Sequence, residues 1–158
     1  MTFALFVWTA DELEWNYDCT RTYVQEPLLK GTPIQVAAGN HEIECDNRTK
    51  DIFVPYESYF RNPNRIQTPD MRPAFNDDCT TPSAFAGHYN YGNSFYSFKH
   101  GLAHVIVLNS YTDVSPDSVQ YNWLESELSH RVNRHKTPWL LAMFHCPLHT
   151  TFLGHNGK

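Results

Sequence analysis

Apolar residues in this chain gather into short runs bounded by glycine, proline and polar residues. Residues 34–38 read IQVAA and residues 138–144 read PWLLAMF. Both runs are too short for a helix and carry no charge, the pattern of strands buried on both faces. Residues 95–99 and 102–109 read as two more strands, joined at His100-Gly101 as a tight turn. Between the hairpin and the last strand, Ser115 is placed to cap a helix with Pro116 at its first position and Asp117 in its first turn. That helix is predicted to run to about His130, with Tyr121, Leu124, Leu128 and Val132 facing the sheet. Residues 16–29 read as an earlier helix: Tyr17, Thr20, Tyr23, Val24 and Leu28 share a face, and Pro27 weakens the last turn. Gly31-Thr32-Pro33 ends it, and residues 56–60 are expected to form a short helical turn. Strands interleaved with helices make an α/β fold.

Composition narrows the class. The 158 residues fit one domain, and 41% hydrophobic with 15% aromatic content is enough for a core. The formal net charge of −5 without a basic cluster argues against nucleic acid as a partner. No stretch is long or apolar enough to span a bilayer. The opening MTFALFVWTA has a brief apolar run without a basic flank, so it reads as a strand and not as a clear signal peptide.

The chemistry lies where the apolar runs stop. Gly39-Asn40-His41-Glu42 follows the first, and His145 opens HCPLHTTFLGHNG after the second. Strand ends feeding loops are where α/β proteins assemble sites, because the sheet is rigid and the loops vary. An Asn amide oxygen and an imidazole nitrogen suit Zn, Fe or Mn in the divalent state and leave the ion's charge largely uncancelled. Such an ion polarises a phosphoryl oxygen. A His beside it, off the metal, can bond a phosphate oxygen or protonate a leaving alkoxide. The plainer alternatives are a simple Gly-Asn turn, a His145 bonded to backbone, and His155 as an ordinary loop residue. Glu42 reads as a carboxylate that bonds a loop amide. His88, His100, His104, His130, His135 and His149 read as surface or structural, and Glu125 and Glu127 as solvated acids. Cys146 reads as a buried thiol against the last strand.

GNHE, the YSF-x-x-G hairpin, the QYNWLESEL helix and the HCPL strand end, in that order, resemble the purple acid phosphatases of the calcineurin-like metallophosphoesterase superfamily. The resemblance covers most of the chain from about Val24 to Lys158. It implies a partial metallophosphoesterase fold, a β-sandwich flanked by helices and incomplete at both ends. It implies one domain over residues 1–158 with a loop insert at about 46–92. By position, Asn40 and His145 would be ligands of the divalent metal. His41 and His155 would be the catalytic, substrate-facing histidines. The family cleaves phosphate monoesters with an Fe(III) paired with Fe, Zn or Mn in the divalent state, bridged by an Asp.

The departures bear on activity. The family's G-D-x-G and G-H-x-H motifs do not occur between Met1 and Lys158. Where G-D-x-x-Y is expected, the chain reads LFVWTADELEW, with Ala10-Asp11 fitting the motif's tail and Thr9 in place of the tyrosine. Asn40 and His145 by themselves make at most a weak single divalent site. The chain alone is therefore expected to be inactive, a truncated form of an acid phosphatase. The alternatives are a non-catalytic relative, or a phosphodiesterase or nucleotidase of the same superfamily. Oligomeric state leaves no trace in the sequence.

Four cysteines and a sequon bear on compartment. Cys45 and Cys79 bracket a Pro-rich stretch that a disulfide would close, and Asn47-Arg48-Thr49 is a glycosylation sequon beside it. Paired cysteines and a sequon fit a secretory route, secreted or vacuolar by the family resemblance.

Overall fold

The computed structural model describes residues 35–39, 42–43, 52–63 and 89–146. The expected helix at 16–29 lies outside them. Within them the order of elements is α1 (Val54–Tyr59), β1 (Tyr96–His100), β2 (Ala103–Val107), α2 (Val119–Ser126) continuing into a π-helical segment (Glu127–Arg131), and β3 (Trp139–Met143).

The strands form one mixed sheet in the order β1-β2-β3. β1 and β2 are antiparallel, with Tyr96 opposite Val107 and His100 opposite Ala103. That register puts the two turn residues at Gly101 and Leu102, one position later than the sequence suggested. Gly101 has φ 54, and Leu102 is not in the positive-φ region. This is the II′ arrangement, which takes glycine at its first central position and matches the twist of the flanking strands. β3 runs parallel to β2, with Ala103 beside Trp139 and Val107 beside Met143. Parallel pairing puts the C-terminal ends of both strands at one end of the sheet.

The crossover between β2 and β3 departs from its predicted details. Ser118, not Ser115, is the helix cap, its Oγ accepting from Tyr121 N at 3.2 Å. Residues 115–118 form a preceding turn closed by Ser118 N donating to Ser115 O at 3.1 Å. Asp117 sits in that turn at φ 71. The inward face also differs. Tyr121 and Leu128 are exposed, whereas Gln120 and Glu127 are buried and Trp123 packs its ring 5.0 Å from Phe95. Hydrogen-bond partners on the sheet, and not apolar periodicity, select this face. The reading of Glu127 as a solvated acid is thereby corrected: it is 3% exposed.

Residues 35–39 pass between two buried clusters. Val36 and Ala38 join Ile43, Ile52, Phe53, Tyr56, Tyr89 and Tyr111. Ala37 joins Tyr96, Val105, Val107 and Met143. Alternation along extended backbone sends successive side chains to opposite faces, so this run is buried on both, as its composition implies. Two hydroxyls fix its position: Val36 O accepts from Tyr96 Oη at 2.8 Å and from Tyr56 Oη at 3.2 Å. Burial pushes the Tyr56, Tyr89 and Tyr96 hydroxyls above the ordinary phenol range, and for Tyr89 the neighbouring Glu57 charge adds to it.

β3 does not share that burial. Trp139 is 66% exposed, and Leu141 and Ala142 are exposed as well. Its neighbour is β2 on one side, and no described element covers its outer surface.

α1 ties the early segments to the hairpin. Phe53 precedes it at φ 59, a conformation rare for an aromatic residue, and stacks on Tyr89 at 4.0 Å. Glu57 accepts from Asn93 N at 2.5 Å and from the Tyr89 hydroxyl. Gly92, at φ 56, lies directly against that carboxylate, where a Cβ would collide with it. No helix among the described residues is long and apolar enough to cross a membrane.

Candidate functional site

His145 lies one residue beyond β3, at the end of the sheet where β2 also finishes. It is half-buried. The loop after β2 packs beside it: the Tyr111 ring lies 5.7 Å from the imidazole at 46°. The next residue is anchored to the same loop, with Cys146 N donating to Ser110 Oγ at 3.1 Å and Cys146 Sγ 3.3 Å from the Tyr111 hydroxyl. Cys146 is exposed and free, not buried as its sequence context implied. It lies past the end of the strand, where the sheet no longer covers it.

The loop itself is rigidly held. Leu108 N donates to Met143 O at 2.8 Å, extending the parallel pairing by one step. Asn109 then exchanges two bonds with Gln120: Asn109 N donates to Gln120 Oε1 at 2.8 Å, and Gln120 Nε2 donates to Asn109 O at 3.0 Å. The Asn109 side chain accepts from Tyr111 N at 2.7 Å and donates to Ser94 Oγ at 2.8 Å. Farther along, Thr112 Oγ1 accepts from Tyr89 N at 2.9 Å. Asn109, Ser110 and Tyr111 were not singled out in the sequence, although LNSYT follows an apolar strand just as HCPL does. The strand-end reasoning applied to the other two runs would have found them.

The first strand end reaches the same region through Tyr111, which belongs to the buried cluster of Val36, Ala38 and Ile43. There Gly39 N donates to Glu42 Oε2 at 2.5 Å, and Glu42 is buried. The carboxylate thus bonds the Gly39 amide, the loop-amide role read from the sequence. Asn40, His41 and His155 themselves lie outside the described residues, as do Cys45, Cys79 and Asn47.

Among the described residues no group of three or more His, Cys, Asp and Glu is placed to hold a metal. His145 has the donor chemistry of one ligand: an imidazole just past a strand end, with the Tyr111 ring beside it.

Residues 4–158 match the family model described as calcineurin-like phosphoesterase. Purple acid phosphatase 13 of Arabidopsis thaliana is 39% identical over 130 residues, covering 82% of this chain and 20% of that protein. Purple acid phosphatase 18 of the same plant is 32% identical over 146 residues, 92% of this chain and 28% of the relative. The phosphoenolpyruvate phosphatase of Allium cepa is 34% identical over 117 residues, 74% of this chain and 20% of the relative. The chain thus spans between a fifth and a third of the length of these relatives. In structure, the purple acid phosphatase PPD1 from yellow lupin seeds aligns with a TM-score of 0.51 at 23% identity, over 80% of this chain and 19% of that one. Matched almost throughout by one family model, this chain belongs to the calcineurin-like phosphoesterase family, among its purple-acid-phosphatase-like members.

Proposed function

We propose that this chain carries part of a metal-dependent phosphatase site that hydrolyses phosphate monoesters. The observation that carries the proposal is His145, held at the end of β3 against Tyr111 and the Ser110 loop. In this reading His145 and Asn40 bind the divalent ion of an Fe(III) plus Fe, Zn or Mn pair. When bound, that pair supplies Lewis-acid polarisation of the phosphoryl group. His41 donates a hydrogen bond to a phosphate oxygen, and His155 faces the ester from the later loop. One of them delivers the proton that the leaving alkoxide needs. Tyr111, held by Asn109 and packed beside the imidazole, would limit the reorganisation that binding otherwise requires.

The same proposal treats residues 1–158 as belonging to one domain, with the stretch at about 46–92 as an insert. It assigns the chain to the secretory route, with Cys45 paired to Cys79 and Asn47 glycosylated. A second reading, a relative that keeps the fold without turnover, is favoured by one feature: Thr9 stands where the family's tyrosine is expected.

Metal content and p-nitrophenyl phosphate turnover, measured together on the intact protein, separate these readings. His145→Ala should remove the divalent metal. His41→Ala should lower turnover by about 10²–10⁴-fold while leaving metal content unchanged. Equal losses of metal and turnover in His41→Ala would remove His41 from the substrate side. A metal-loaded wild-type protein without turnover would favour the non-catalytic relative.

A further inference from the structure

The opposite end of the sheet, where β1 finishes and β2 begins, holds a cavity of about 520 Å³ between the strands, the π-helical segment and the loop before β3. Its buried wall is made by Ser97, His104 and Glu127, and its exposed side by Lys99, Arg131 and Lys136. The π turn matters here. It sets Glu127 inward at the same level as the two strand residues, and π turns often mark functional positions.

The acid on the buried wall is already engaged. Glu127 Oε1 accepts from Ser97 Oγ at 2.6 Å and lies 2.9 Å from His104 Nε2. Arg131 Nη1 approaches Oε2 at 3.6 Å. Ser97 bonds the carboxylate and not the imidazole, so these three residues do not form a nucleophile activated by a histidine base. Nor do these three residues make a metal site, since only His104 and Glu127 among them have suitable donors. What remains around the cavity is positive: Lys99 and Lys136 have no carboxylate among its lining residues beyond the one Glu127 that Arg131 already faces.

The sequence explains why this cluster escapes notice. Arg131, Arg134 and Lys136 fall within six residues, a run that alone reads as a solvated face. Folding brings Lys99 of β1 to it, and a basic cleft results in a chain whose formal net charge is −5. The cleft forms by contact between segments distant in the sequence, around the Glu127 carboxylate. His104 is 1% exposed, and its Nε2 contact with Glu127 fixes the imidazole in the wall of the cleft, so the ligand-facing charge is that of Lys99, Arg131 and Lys136.

We propose that this cleft is an anion site, separate from the His145 end, that takes a small multivalent oxyanion of the phosphate class. Lysine and arginine provide charge-assisted bonds to such a ligand. The cavity has room for two joined phosphate groups and is open enough to admit them. Helix C-terminal carbonyls near Arg131 oppose an anion, so the site depends on the side-chain charges. The proposal stands independently of the phosphatase reading, because it uses neither metal nor turnover.

The test is a titration of the full chain with pyrophosphate in chelator-containing buffer, followed by NMR. Saturating shifts are expected at Lys99, His104, Arg131 and Lys136. Lys99→Ala combined with Lys136→Ala should weaken binding by about tenfold or more, and His145→Ala should leave it unchanged. Both lysines are exposed, so the double variant keeps the core intact, and Lys136→Glu alone provides a second reading of the same loss. Sulfate and inorganic phosphate, titrated separately, distinguish a general dianion site from one that prefers linked phosphates. Equal shifts with sodium chloride at matched ionic strength would overturn the proposal. So would shifts confined to the His145 end, or saturation by an acidic peptide alone.

Discussion

At the His145 end of the sheet, the network that joins the crossover helix to the loop after β2 is neutral. Asn109 and Gln120 satisfy each other's backbone and amide groups, and Asn109 also serves Ser94 and Tyr111. At the other end, the central group is a carboxylate: Glu127, with Ser97, His104 and Arg131 around it. Both networks do the same mechanical work, which is to attach α2 and its π-helical extension to the sheet. Their costs of failure differ. A neutral amide that loses one partner leaves unpaired dipoles, whereas a buried charge network that loses its centre leaves several groups desolvated without their counterpart.

The largest effect should therefore come from Glu127→Ala. Removing the carboxylate strands Ser97 Oγ and His104 Nε2 in a buried site and is expected to cost about 3–5 kcal/mol in urea unfolding. Glu127→Gln should cost less, because the amide oxygen still accepts one of the two bonds. Asn109→Ala comes next, at about 1–3 kcal/mol, since Tyr111 N and Ser94 Oγ lose a partner but no charge is exposed. If Asn109→Ala proved as damaging as Glu127→Ala, the contrast between the two ends would collapse.

Both networks were hard to read from the sequence for one physical reason. Gln120 and Glu127 look like surface residues of an amphipathic helix, and their partners come from other elements: Asn109 from the loop after β2, Ser97 from β1 and His104 from β2. Periodicity reports what is apolar locally and is silent about polar groups satisfied across the fold. Local signals performed better. The hairpin was legible because two apolar runs flank a glycine, although the turn falls on Gly101-Leu102. The last strand was legible between Pro138 and His145, although its exposure was not. Ser115 and Ser118 are both plausible caps by type, and the positive φ of Asp117 decides between them only in three dimensions. At the site, strand-end position identified His145, while its support by Tyr111 depended on a loop that no motif marked.

The smallest expected difference comes from alkaline pH. Tyr56, Tyr89 and Tyr96 have hydroxyl pKa values raised by burial. The folded state therefore holds protons that the unfolded chain releases near pH 10. Stability should be intact below about pH 10 and fall above it, by at most about 1.4 kcal/mol per pH unit for each tyrosine. These hydroxyls bond Val36 O and Glu57, outside both networks. Unfolding curves from pH 9 to about 11 should thus decline in parallel for the wild type, Glu127→Ala and Asn109→Ala. A steeper decline in either variant would show that its network extends into the tyrosine cluster.

The pairing of β2 with its two neighbours also sets an order of assembly. Ala103 meets His100 across a two-residue turn, but it meets Trp139 only after the whole crossover has been gathered in. Closing a short loop costs less chain entropy than closing a long one, so the hairpin is the early event and the docking of β3 the late one. His145 sits just beyond that late strand. Its environment is consequently among the last things the folding chain completes, and slow or faulty closure of the crossover would produce molecules with a formed hairpin and an unformed site.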